Sequence, residues 1–141
     1  MATFNKFNQF VEDVGKGVHN LATGTLKVAL TNTAPNATDA TLSQITQISN
    51  GNGYTTGGSQ AASNAYTQTS GTAKLTATDV VFTASGGSVG PFRYAVLYND
   101  TPTSPADPLI GYWDYGSSIT LASGETFTVD FDGTTGILTI A

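Results

Sequence analysis

Cysteine is absent from this 141-residue chain, and charge is almost as scarce: ten acidic residues, five basic ones and a single histidine. The lack of thiols excludes disulfides and thiolate metal sites, and it leaves the redox compartment unread. An ordinary domain carries about a quarter Asp, Glu, Lys and Arg, against 11% here. With one imidazole and so few carboxylates, little remains for nucleophilic or acid–base chemistry. The cations Lys6, Lys16, Lys27, Lys74 and Arg93 form no run or stripe. That excludes the clustered basic footprint of direct nucleic-acid binding. No window approaches the ~20 apolar residues of a membrane-spanning helix. The start, Met1-Ala-Thr-Phe-Asn-Lys6, has no basic region followed by an apolar stretch, so a product made and used without Sec export is expected.

What the chain has instead is 24 threonines and 16 glycines. A surface of hydroxyl, amide and bare backbone suits a protein that neighbours cover, because few charges must then be desolvated. Assembly rather than catalysis is the expectation, with no cofactor and no metal. The length fits one domain, which at this size buries roughly 68–70% of its unfolded surface. Within it, residues 1–24 read as a helical arm and 25–141 as a β-sandwich.

In the arm, Phe4, Phe7, Val11, Val14, Val18 and Leu21 recur at helical spacing among polar residues. This predicts a helix from Phe4 to Val14, with Thr3 as N-cap and with Gly15 and Gly17 ending it. Two readings of the stripe stay open: it closes one end of the protein's own core, or it docks on another subunit. Three phenylalanines in seven positions, Phe4, Phe7 and Phe10, make it a candidate interface together with Val11 and Val14. A membrane-surface helix would want a Lys/Arg-rich polar face, which is missing here.

From Leu26 the period changes to two, and Leu26, Val28 and Leu30 alternate with Lys27, Ala29 and Thr31 as in a strand. Residues 33–64 hold Pro35, a short helical turn at Leu42, Ile45 and Ile48, and glycine-rich turns; they read as an exposed lobe and a contact region. Strands follow at Ala65 to Ser70, Ala73 to Thr76, Val80 to Thr83, Phe92 to Asn99, Leu109 to Asp114, Ser118 to Leu121, Thr126 to Phe131 and Ile137 to Ile140. About nine short strands at this spacing predict an all-β fold, a two-sheet jelly-roll-like sandwich with a short N-terminal amphipathic helix.

Several constellations resemble catalytic or binding motifs. Gly86-Gly-Ser-Val-Gly90 matches G-x-S-x-G, but a nucleophile elbow needs a helix after the serine and a histidine later in the chain, whereas His19 lies upstream. Asp130, Asp132 and Gly133 read as a hairpin turn rather than a calcium loop, since further oxygen ligands and a terminal glutamate do not follow. Asp114 and Glu125, like these, read as solvated acids at strand ends. The sequons at Asn36 and Asn99 read as chance matches in a threonine-rich chain. Tyr94, Tyr98, Tyr112, Trp113 and Tyr115 concentrate the aromatic surface, which can anchor an interface or bind sugar. Alternation places Phe92, Tyr94, Val96 and Tyr98 on one, core-facing side, while Leu97 on the other marks a strand covered on both faces. Arg93, the sole arginine, stands in that apolar strand, so it pairs with an aspartate or crosses a subunit interface. With Trp113 it completes the candidate interface set.

The stretches Met1 to Val14, Leu26 to Thr33, Gly90 to Thr101 and Leu109 to Thr120 resemble a family of small virion proteins of tailed bacteriophages, most nearly the jelly-roll cement or decoration proteins of phage heads. With Gly124 to Gly133 they cover over a third of the chain. The resemblance implies a non-enzymatic protein that binds and stabilises the capsid shell. Its implied partners are the major capsid protein and its own copies, as a homodimer or homotrimer on the capsid surface after assembly in the host cytoplasm. Tail and fibre components use similar small sandwiches. That alternative, or a carbohydrate-binding module, would expose Tyr112, Trp113 and Tyr115 as a platform.

Overall fold

β-branched residues in short alternating runs produce the ten strands of the computed structural model, which describes residues 2–141. In chain order these are β1 (Phe4–Lys6), α1 (Asn8–Gly15), β2 (Leu26–Thr31), a 3-10 turn (Leu42–Gln44), β3 (Ser59–Gln60), β4 (Ala65–Thr69), β5 (Thr72–Thr76), β6 (Val80–Thr83), β7 (Val89–Asn99), β8 (Leu109–Leu121), β9 (Thr126–Val129) and β10 (Leu138–Ile140). Every strand pairing is antiparallel. One sheet has the order β1-β8-β7-β2-β3, a second β10-β5-β4, and a third is the pair β6-β9. The main core lies between the first sheet, through Leu26, Val28, Leu30, Leu97 and Ile110, and the other two, through Leu75, Phe82 and Val129. Each such side chain contributes roughly 1.5–3 kcal/mol when fully buried. The fold is the expected all-β sandwich with one short helix.

β7 is covered on both faces, but not in the predicted alternation. Irregularities in its pairing with β8 fall between Val89 and Phe92, Phe92 and Tyr94, and Leu97 and Tyr98. An extra residue in a strand reverses which side chains face inward. Phe92, Ala95 and Leu97 therefore enter the main core. Val96 and Tyr98 enter a second cluster with Phe7, Ala29, Ile45 and Leu109. Tyr94, expected in the core, is only half-buried. β8 joins the two strands expected at 109–114 and 118–121; Gly116, at φ +98°, carries the irregular backbone between them while its N–H donates to Asp114 Oδ1 at 2.8 Å.

The N-terminal stripe is not one helix. Phe4 to Lys6 instead form an edge strand on Trp113, Tyr112 and Gly111, and the residue flanking α1 is Phe7 rather than Thr3. The free edge of β8 offers hydrogen bonds that an isolated helical turn would have to make alone. Gly111 leaves the room: a Cβ there would lie 2.2 Å from the Phe4 ring. Phe7 is fully buried in the second cluster and Phe10 is buried in the main core, so neither is available to a partner.

Residues 33–64 are mostly exposed or half-buried, with Ile45, Tyr54 and Ala61 buried, but they do not stand off as a separate lobe. They run back along β2, with Ile48 N–H donating to the Leu30 carbonyl at 3.0 Å and Ala61 N–H to Leu26 at 2.8 Å. Tyr54, 1% exposed, anchors them: its hydroxyl accepts from Leu30 N–H at 3.1 Å and donates to Gln47 Oε1 at 2.7 Å. Gln47 Oε1 also accepts from Gly57 N–H, whose carbonyl accepts the buried Tyr98 hydroxyl. Burial pushes the Tyr54 phenol up to about 12, so it remains a neutral donor at physiological pH. The predicted turn at Leu42 is present and closed by a Thr41–Gln44 capping box.

Phe7→Ala is expected to cost about 3–5 kcal/mol in urea denaturation. Val11→Ala, at a position 56% exposed on the same segment, is expected to stay within about 0.5 kcal/mol. Removing residues 1–14 should therefore unfold or severely loosen the domain, observable as loss of its cooperative transition.

Candidate functional site

Two surface grooves and one buried cluster gather the chemically informative side chains. The first groove lies on β7 and β8 where β9 leaves their inner face partly open, and it has a volume of about 310 Å³. Trp113 and Tyr115 alternate with Asp114 along β8, and Phe127 on β9 completes the wall. Tyr115 stands 55% exposed with its ring edge-on to Phe127 at 5.7 Å, and Trp113 packs between Phe4 and Phe131. Thr128 and Asp130 are exposed at the rim.

Arg93 resolves toward an intrachain partner. Its Nε and Nη2 donate to the two carboxylate oxygens of Asp114 at 2.7 and 3.0 Å, and its guanidinium lies 5.5 Å from the centre of the Tyr94 ring. The hydrogen bond to Arg93, followed by that from Gly116 N–H, holds the Asp114 carboxyl below its usual range, and the same pairing raises Arg93. Both side chains remain more than a third exposed, so solvent screens the pair. Its consequence is orientation: two of five guanidinium N–H groups are used, and the other three are held in a fixed plane.

The second groove, of about 620 Å³, lies between α1 and β10. Phe4, Phe10, Val11 and Val14 line one side, Leu138 and Ile140 the other. β1 and β10 are terminal strands of their sheets, so strand edges flank an apolar floor. Of the seven candidate interface residues, Phe4, Val11 and Val14 thus meet here over the buried Phe10, Arg93 and Trp113 line the aromatic groove, and Phe7 belongs to the core. Sequence reasoning missed Leu138 and Ile140 as surface residues. Strand alternation puts Leu138 and Ile140 on one face, with Leu138 half-buried against the main core and Ile140 exposed.

The serine of the G-x-S-x-G stretch sits just before β7, whereas His19 contacts Asn99 at the other end of that strand. The two are separated by its length, and no elbow forms. Asp132 Oδ1 accepts from Thr134 and Thr135 N–H at 2.7 and 2.9 Å, which closes the expected turn and lowers its pKa. Asn99 of the second sequon is buried.

His19 is part of a buried polar cluster. The Asn99 carboxamide oxygen accepts from Thr101 N–H at 3.1 Å, so its nitrogen is the end that faces His19 Nδ1, at 3.3 Å. An amide N–H donates, so the neutral ring accepts at Nδ1 and carries its proton on Nε2, which is buried without a protein partner, as is Asp13 Oδ2. Burial lowers the His19 pKa, with attraction to Asp13 opposing it. Charging the ring would also set two donors against each other at Asn99.

As pH falls from about 6.5 toward the lowered native value, the unfolded chain protonates first, so stability should fall through that window. Urea midpoints at about pH 7.5 and about pH 5.5 should differ in the wild type and converge in His19→Gln. Asp107, raised mainly by burial and then by Asp100, acts with the opposite sign at lower pH, so the comparison of variants isolates His19.

Set against family models, curated proteins and solved structures, the chain has no match in any of the three.

Proposed function

We propose that the chain is a non-enzymatic structural protein that binds and stabilises a capsid shell, in the manner of the tailed-phage cement or decoration proteins its sequence resembles. In this reading it works as a homodimer or homotrimer on the capsid surface, with the major capsid protein as partner. The observation that carries it is the apolar groove between α1 and β10. Val11 is 56% and Ile140 37% exposed there, beside two terminal strands. Exposed apolar side chains flanked by strand edges favour association. Among the described residues, Lys6 is the one charged residue lining the groove, so few charges need be desolvated on its floor. Repetition over a shell then supplies avidity that a single weak contact lacks.

The test uses intact phage heads and the full chain. Wild type should co-sediment at a copy number comparable to the capsid subunit; a handful of copies would assign it to the tail instead. A Val11→Asp/Ile140→Asp variant should keep its thermal transition but lose head binding by roughly tenfold or more, since it buries unpaired charge. Unchanged binding by a folded double variant would remove this face from the interface.

A further inference from the structure

We propose that a single internal water molecule binds between α1 and the end of β7, bridging Asp13 Oδ2 to His19 Nε2. Asp13, 4% exposed on α1, carries a carboxylate with one oxygen satisfied. Gln9 Nε2 donates to Oδ1 at 3.1 Å, while Oδ2 is buried with no donor among the described residues. His19 lies against the same helix, its ring centre 5.2 Å from that of Phe10, which stands one turn before Asp13 on the same helix face. Its Nδ1 is taken by Asn99 Nδ2 at 3.3 Å, and its Nε2 is buried without an acceptor. The Asp13 charge acts on the imidazole, yet no direct hydrogen bond joins the two side chains. A buried donor and a buried acceptor that face each other without touching are the setting in which proteins hold an ordered water.

The chemistry of the two ends selects the occupant. Asp13 Oδ2 needs a donor, and His19 Nε2–H needs an acceptor. A metal cation would satisfy the carboxylate but oppose the N–H; an anion would do the reverse. Water donates through one O–H and accepts at its oxygen. With it in place, donor and acceptor roles agree along one continuous chain. Gln9 and water donate to Asp13, His19 donates to water, Asn99 donates to His19, Thr101 N–H donates to Asn99 Oδ1 at 3.1 Å, and Thr25 N–H donates to Thr101 Oγ1 at 2.7 Å. The chain ties α1 to the residue before β2 and to the loop after β7. Gly24 lets the segments meet, since a Cβ there would lie 2.9 Å from both Asn99 carboxamide atoms.

Crystals of the full wild-type chain grown at about pH 7.5, where the ring is neutral, should show one water within roughly 2.7–3.2 Å of both Asp13 Oδ2 and His19 Nε2. In solution at the same pH, long-range proton–nitrogen spectra should show His19 protonated on Nε2 and not on Nδ1. The carbon-bound ring protons of His19 should give nuclear Overhauser contacts to water with the sign of a long-lived internal molecule. Asp13→Leu should abolish those contacts. Lys16→Ala, which removes only the exposed pair with Glu12 on the same helix, should leave them unchanged. Thermal unfolding checks that each variant is folded, and if Asp13→Leu is not, the wild-type crystal and spectra decide alone. A direct Asp13–His19 contact, a cation or no density between the two atoms, a ring protonated on Nδ1 alone, or water contacts that persist in folded Asp13→Leu each overturn the proposal.

Discussion

Burial of the central strands on both faces is the constraint on which the rest of this fold depends. β2 and β7 carry Leu26, Val28, Leu30 and Leu97 on one face and Ala29, Val96 and Tyr98 on the other. A sheet with one wet face needs a single covering layer; this one needs two. The second and third sheets provide the first layer. The other is built from irregular chain, with Phe7 from the N-terminal segment and Ile45 from the long excursion packed beside Leu109 of β8. Irregular backbone can lie against a buried sheet only if its polar groups find partners. The Tyr54, Gln47, Gly57 and Tyr98 contacts meet that need.

Scarcity of charge follows through to the surface. The Arg93–Asp114 pair consumes the only guanidinium of the chain, and partial burial beside Asn99 favours the neutral form of the only imidazole, His19. The outside is then mainly threonine, serine, glycine and amide side chains, interrupted by two concave faces of different character. One is apolar and bordered by strand edges; the other is lined by Trp113, Tyr115 and Phe127.

Fold class was legible in the residues because alternation, turn chemistry and threonine content all point the same way. The strand boundaries at Val80–Thr83 and in β5 followed from the same signals. The N-terminal segment was not legible as built. Phe4, Phe7 and Phe10 fit a helical stripe, yet Phe4 finds a better partner in the open edge of β8, and no local rule ranks a helical turn against a distant strand edge. The excursion of 33–64 is mostly exposed, as its glycine and polar content suggest, but its course along β2 depends on long-range contacts, such as Tyr54 with Leu30, that local composition does not reveal. In β7, bulges reversed the inward set after Phe92, and no residue type in that stretch announces them. At the candidate sites, the aromatic concentration around Trp113 was visible, but its joining with Phe127 and Arg93 depends on sheet register and on β9 lying opposite.

The sequence by itself determined what this protein has to work with: no thiols, one imidazole, fifteen charges, and strands that must stack to bury their leucines and valines. Those are properties of side-chain chemistry and period, which act locally. Only the tertiary structure decided which aromatics became core and which became surface. That choice depends on pairing register and edge occupancy, set by contacts between residues far apart in the chain, such as Phe4 with Trp113 and Leu30 with Tyr54.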